Sequence, residues 1–143
     1  MPVIGIVFVL LGVFSLVNGA WMIASAATWY ENLPGAVPDF GAYNGHFIRD
    51  IGLAYCISGA GFLWSAYHLR QCRIVVVAQA LWAAGHAVLH VIDIVAGRVS
   101  GTHWFMDAPG VLLPGLVLGV IALPTVWRVV YKEAGYGPAE STP

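Results

Sequence analysis

The sequence predicts an all-α integral membrane protein, a four-helix bundle with both termini on the cytoplasmic side. Three observations carry that expectation: the composition, four long apolar stretches, and the side on which the cations fall. Of 143 residues, 59% are hydrophobic and 9% are charged, where soluble domains carry about 25% charge. The mean hydropathy is +0.80. Too few polar groups remain to cover a water-facing surface, which excludes a soluble globule. A net charge of -1 with scattered cations offers a polyanion no basic patch, which excludes nucleic acid as a partner.

A helix needs roughly 20 apolar residues to cross the hydrocarbon core. Four stretches qualify, at about 3–27, 46–69, 74–96 and 109–131, within a single domain of residues 1–134. The first ends in Ala24-Ser25-Ala26, which resembles a signal cleavage site. It lacks a preceding cation and its apolar run is too long for a signal peptide, so a retained helix is expected. The second contains Gly52, Ser58, Gly59 and Gly61, and the fourth contains Gly110, Gly115 and Gly119. Small residues of this kind let backbones approach closely in lipid. Pro114 and Pro124 kink the fourth stretch. Residues 135–143 form a polar, disordered cytoplasmic tail.

Arg70 and Arg73 bracket the turn between the second and third spans, and Arg128 and Lys132 close the fourth. Under the positive-inside rule that end is cytoplasmic, so the chain is expected in a bacterial inner membrane as a multi-pass protein. The loops 28–45 and 97–108 then face outward. Trp29, Tyr30, Tyr43 and Trp104 fall at the outer boundary, and Trp64, Tyr67, Trp127 and Tyr131 at the inner one, as interfacial belts do. The first outer loop mixes amphipathic and turn residues, as a surface lid would. Cys56 and Cys72 lie in an apolar run and a basic turn, without the spacing of a thiolate metal cluster.

Against this apolar background, ionisable residues gather at one end. His46, His86, His90, His103, Asp50, Asp93 and Asp107 all map to the outward ends of spans two to four, and only His68 lies on the other side. Such groups cost about 2.5 to 3.5 kcal/mol each at a helix centre, so each needs a partner or a purpose. Spacing groups them further. His46 and Asp50, His86 and His90, and His103 and Asp107 are each four apart, which places both members on one helix face. Gln79, Ala83, His86, His90, Asp93 and Gly97 follow a three-four repeat that marks an inward seam. His86 lies about 10 Å deeper than Asp93 along it.

Imidazole nitrogen and carboxylate oxygen are the ligand set of zinc, iron and other transition metals, and two histidines at i and i+4 grip one ion from a single helix. The expected metal set is therefore His46, Asp50, His86 and His90, with Asp93, His103 and Asp107 completing a second ion or orienting the imidazoles. Arg49 is expected to pair with Asp50 or Asp107 or to hold an anionic group, and Asp50 or Asp93 to accept a proton from metal-bound water. Haem b is the alternative cofactor, with axial histidines from two helices, Gly52 or Gly85 making room and Arg49 meeting a propionate. Proton, ion or quinone pathways use the same residue types. A structural reading also stands, in which the cluster is a hydrogen-bond network holding the helices in register.

The strings Gly45-His46-Phe47-Ile48-Arg49-Asp50-Ile51-Gly52-Leu53-Ala54-Tyr55 and His86-Ala87-Val88-Leu89-His90-Val91-Ile92-Asp93 resemble those of small four-span bacterial inner-membrane proteins. The resemblance covers most of the chain and implies the architecture without bringing an activity. A looser similarity links the intramembrane His and Asp to membrane zinc hydrolases of the alkaline ceramidase type, which have seven spans and a serine motif absent here. The functional expectation is a membrane metalloprotein with a zinc, iron or copper site at its outward end, acting as hydrolase or oxidoreductase on a lipid-like substrate. Its alternatives are a haem-binding electron-transfer subunit and a non-catalytic accessory subunit. Membrane lipids, a homo-oligomer or a larger membrane complex are the expected partners.

Overall fold

The computed structural model describes residues 2–132 and Gly135. The described residues form helices joined by turns and short loops, with no strand. In chain order they form α1 (Val3–Ala24), α2 (Ala26–Asn32), a 3-10 turn (Val37–Phe40), α3 (Gly45–Tyr67), α4 (Arg73–Val95), α5 (His103–Met106), a wider π-type turn (Ala108–Leu112), α6 (Leu113–Ala122) and α7 (Pro124–Tyr131). Apart from Gly135, the tail expected at 135–143 lies outside the described residues, as does the end of the predicted domain at 133–134.

Two helices, α1 and α4, are long and apolar enough to cross a membrane, and the bent pair from Ala108 to Tyr131 would be a third. The α3 helix matches them in length with 23 residues, but His46, Arg49 and Asp50 in its first turns dilute its apolar character. Large apolar side chains point outward along α1 (Leu10, Val17), α4 (Ile74, Leu81) and α6 (Leu116). Contiguous apolar surface of that kind needs a cover other than water.

The stretch expected to cross as one helix at 109–131 is broken. Leu123 is extended, with ψ 134°, and Pro124 begins a new helix at 80° to the previous one. Proline excludes its predecessor from the helical region and supplies no N–H to the preceding turn. Arg73 compensates at the break, donating from its guanidinium to the Ala122 carbonyl at 3.5 Å and lying 5.5 Å over the Trp127 ring. Pro114 sits in the first turn of α6, where its missing N–H costs nothing.

The helices associate as two pairs, α1 with α3 and α4 with α6. Glycine makes the first pair close. Gly12 meets the Gly59 carbonyl and Gly19 meets that of Gly52, at 3.1 and 2.5 Å from where a Cβ would stand. Both helices repeat glycine at seven residues, so the antiparallel pair touches backbone to backbone at two points about 10.5 Å apart. In the second pair Gly115 abuts Ala83 and Ala87 of α4. Gly110 and Gly119, expected at interfaces, have nothing within 4 Å of a Cβ. At the arginine end a core of Phe8, Phe62, Cys72, Val76, Leu118 and Trp127 joins both pairs. Cys56 and Cys72 are both free thiols.

Candidate functional site

Three short elements converge over the other end of α4. The Leu33–Asn44 segment folds back as the 3-10 turn, held by the Tyr30 hydroxyl donating to the Gly41 carbonyl at 2.7 Å. Ala36 takes a left-handed conformation with φ 46° to make the reversal, which costs about 1–2 kcal/mol for a residue with a Cβ. The turn delivers Asp39 and Phe40. The chain leaving α4 turns at Gly97, φ 68°, and re-enters as the single turn of α5, which starts at His103. Asp107 then opens the π-type turn, its carbonyl accepting from both Val111 and Leu112 at 2.9 and 3.0 Å. Such widened turns shift the register of the side chains around them.

The result is a continuous chain of acid and imidazole. Asp39 Oδ2 stands 3.1 Å from His103 Nε2, His103 Nδ1 stands 3.3 Å from Asp107, and His90 Nδ1 stands 2.8 Å from the Asp107 Oδ2 atom. His103 is 0% and Asp107 2% exposed, while Asp39 is half exposed at the surface. The Phe40 ring packs on His90 at 4.6 Å and on His103 at 4.9 Å, closing the chain from above. Below, the His86 ring meets that of His90 edge-on at 4.6 Å, a ring contact without a hydrogen bond.

Both ring nitrogens of His103 face carboxylates, and a carboxylate only accepts. Both must therefore donate, so His103 is an imidazolium between Asp39 and Asp107. Burial opposes this charge, but the hydrogen bonds and fields of the two carboxylates outweigh it and the imidazole titrates above its ordinary value. The stability it contributes is complete below the unfolded imidazole value of about 6.5 and is lost as pH rises through the elevated folded value. Thermal midpoints should decline on the alkaline side, and His103→Gln should flatten that decline. Equal alkaline slopes for wild type and variant would rule out the charged bridge.

Of the four residues expected at the first ion, His86 and His90 adjoin each other and His46 and Asp50 pair elsewhere, while of the three expected at a second ion or around the imidazoles, His103 and Asp107 join His90 and Asp93 does not. His46 and Asp50 pair with each other at 3.5 Å, but at 88% and 61% exposure and on α3, which packs on α1 rather than across α4. Asp93, expected as ligand or proton acceptor, is neutralised by Arg98 at 2.8 Å. Asp50 is occupied by His46 and Asp107 by two histidines, so neither receives Arg49. Among the described residues no three His, Cys, Asp or Glu side chains are arranged to hold a metal ion. For the haem alternative, Gly85 has nothing within 4 Å of a Cβ, while the histidines and Gly52 are less suited. His103 has no free nitrogen, and His86 and His90 rise from one helix face, where they cannot sit on opposite sides of a ring. Gly52, expected to make room for haem, is spent on contact with Met22 and Gly19.

The expected pairing of His103 with Asp107 is present, as is the i, i+4 grouping of His86 with His90. Asp39 was not anticipated. It stands alone in a proline-containing loop, and no periodicity connects it to the helices.

Between the two helix pairs, next to His86, lies a crevice enclosing about 50 Å³. Its polar lining comes from Ser15, Tyr55, Ser58, Gln79 and His86, with Trp82 beside them. The arginine-end core closes it below, where Phe8, Phe62, Val76 and Leu118 are each at most 4% exposed. Comparisons of the chain with protein-family models, with curated proteins and with solved structures find no match.

Proposed function

We propose that this is a multi-pass membrane protein, four-helical across a bacterial inner membrane with the histidine end outward, whose buried acid–imidazole chain carries protons between the outer surface and His86. The continuous line Asp39–His103–Asp107–His90 supports this reading most directly. Outward, the His90 ring turns so that its free Nε2 takes a proton from His86, and His90 then gives its Nδ1 proton to Asp107. His103 gives its Nε2 proton to Asp39 and so to the surface. A flip of the His103 ring then brings the emptied nitrogen to Asp107, which returns the proton.

The path has one mouth. Below the crevice the apolar side chains of Phe8, Phe62, Val76 and Leu118 stand between His86 and the arginine end, so in this reading protons exchanged at His86 serve chemistry at mid-depth rather than passage to the cytoplasm. A proton-coupled reaction on a lipid-like substrate fits this arrangement, with His86 as the acid or base. Cys introduced at exposed Gly101, in a Cys-free background, should react with an impermeant maleimide on intact spheroplasts. Cys at exposed Gln71 should react only after permeabilisation. The reverse pattern would overturn the orientation.

A second reading retains a zinc, iron or copper ion. Asp107 holds His90 through Nδ1, which is how a carboxylate orients a metal-bound imidazole and frees Nε2 for the ion. His86 stands one turn away. Metal analysis of detergent-purified protein and of the His86→Ala/His90→Ala variant separates the two readings. Near-stoichiometric metal lost in the variant favours the metal, and its absence from chelator-free wild type favours the relay.

A further inference from the structure

We infer that the crevice beside His86 is the binding site of an uncharged, lipid-soluble molecule with a planar ring bearing a carbonyl or hydroxyl oxygen, of the quinone or quinol class. This rests on the reading of His86 as the inner end of the proton path.

The walls argue for the class. Phe14, Tyr55, Phe62 and Trp82 contribute aromatic surface, and no Lys, Arg, Asp or Glu lines the crevice among the described residues. A carboxylate or phosphate head would find no counter-ion at that depth, so the ligand head is neutral. An apolar wall with a few convergent polar groups is the usual make-up of a small-molecule site. Here those groups are the Tyr55 hydroxyl, the Gln79 amide and the His86 ring, all suited to an oxygen. The His86 and Trp82 rings stack within 6° of parallel, with centroids 6.2 Å apart, so Trp82 backs the imidazole.

Size sets the pose. The crevice has a volume of about 50 Å³ and is open on one side. It takes the oxygen-bearing edge of a ring, while the rest of the ring and the tail extend from its open side. Entry is from the bilayer, where such a molecule dissolves. A ring hydroxyl at His86 gives its proton to the imidazole: one O–H bond breaks, one N–H bond forms, and no electron is transferred in that step. The acid–imidazole chain then removes the proton to the outer surface.

The test uses the whole protein in quinone-free nanodiscs, irradiated with an arylazido derivative of decylbenzoquinone, with labelled residues mapped by mass spectrometry. Label is expected on 11–15 and 79–86, reduced at least tenfold by excess decylubiquinone and unaffected by decanoate. Ser58→Phe, which fills the crevice from α3, should reduce labelling about tenfold with unchanged helicity. His86→Leu should weaken competition by decylubiquinone to a similar degree. His103→Gln breaks the proton path away from the crevice and should leave labelling intact, so failure of the relay and failure of the site give different results. Label spread evenly over lipid-facing positions such as Leu10 and Leu116, or removed equally by decanoate, would overturn the assignment.

Discussion

Asp107→Asn is expected to destabilise the protein by about 3 kcal/mol or more and to disconnect His90 from the surface. One buried carboxylate serves two imidazoles, accepting from His103 Nδ1 and from His90 Nδ1. An amide offers one oxygen and turns an N–H toward the other ring, so a donor faces a donor. Removing one partner of a buried ion pair costs about 3–5 kcal/mol because the remaining charge loses its compensation. His103 keeps only Asp39, and its titration should move down. The alkaline fall in stability should therefore shift to lower pH in the variant. Thermal unfolding of wild type and variant across pH reads both effects. A variant with unchanged midpoint and unchanged pH profile would show that the carboxylate does not bridge the two rings.

Gly19→Leu is expected to separate α1 from α3. A Cβ at Gly19 would stand 2.5 Å from the Gly52 carbonyl oxygen and 2.8 Å from Cys56 Sγ. The first obstacle is backbone, so it cannot swing aside, and the helices must part along a seam held by close packing alone. Overpacking of this kind costs about 3 kcal/mol. Gly119→Ala is the matched control. Its Cβ meets nothing within 4 Å, and replacing a helical glycine by alanine gains about 0.5–1 kcal/mol. Unfolding in graded denaturing detergent should rank Gly119→Ala at or above wild type and Gly19→Leu well below it. Equal stability of the two variants would contradict the glycine seam.

Half of that seam was named from the sequence, as Gly52 and Gly59, while Gly12 and Gly19 of α1, at the same seven-residue interval, were not. Gly110 and Gly119 look equally suited to an interface, because a small residue shows only that close approach is permitted, not that it occurs. The break at Pro124 follows from backbone sterics, whereas its 80° angle depends on where Arg73 and Trp127 anchor the ends. Within the site, helical spacing announced His86 with His90 and His103 with Asp107, because i, i+4 neighbours are fixed by the helix itself. It equally announced His46 with Asp50, which form their pair on a surface away from the others. Spacing settles who shares a face and leaves open which face meets which helix. Asp39 reaches His103 across 64 positions through a loop whose path depends on the Ala36 reversal and the Tyr30 tether. No local pattern encodes such a contact.

The account turns on whether His86 is protonated from one side through the buried chain. The direct measurement is the nitrogen-15 chemical shift of the His86 ring in oriented proteoliposomes, by solid-state magnetic resonance. The outer and inner pH are varied separately, in wild type and in Asp107→Asn. The account predicts that His86 follows the outer pH and ignores the inner pH in wild type, and responds to neither in the variant. A His86 ring that tracks the inner pH, or that tracks the outer pH equally well in Asp107→Asn, would contradict it.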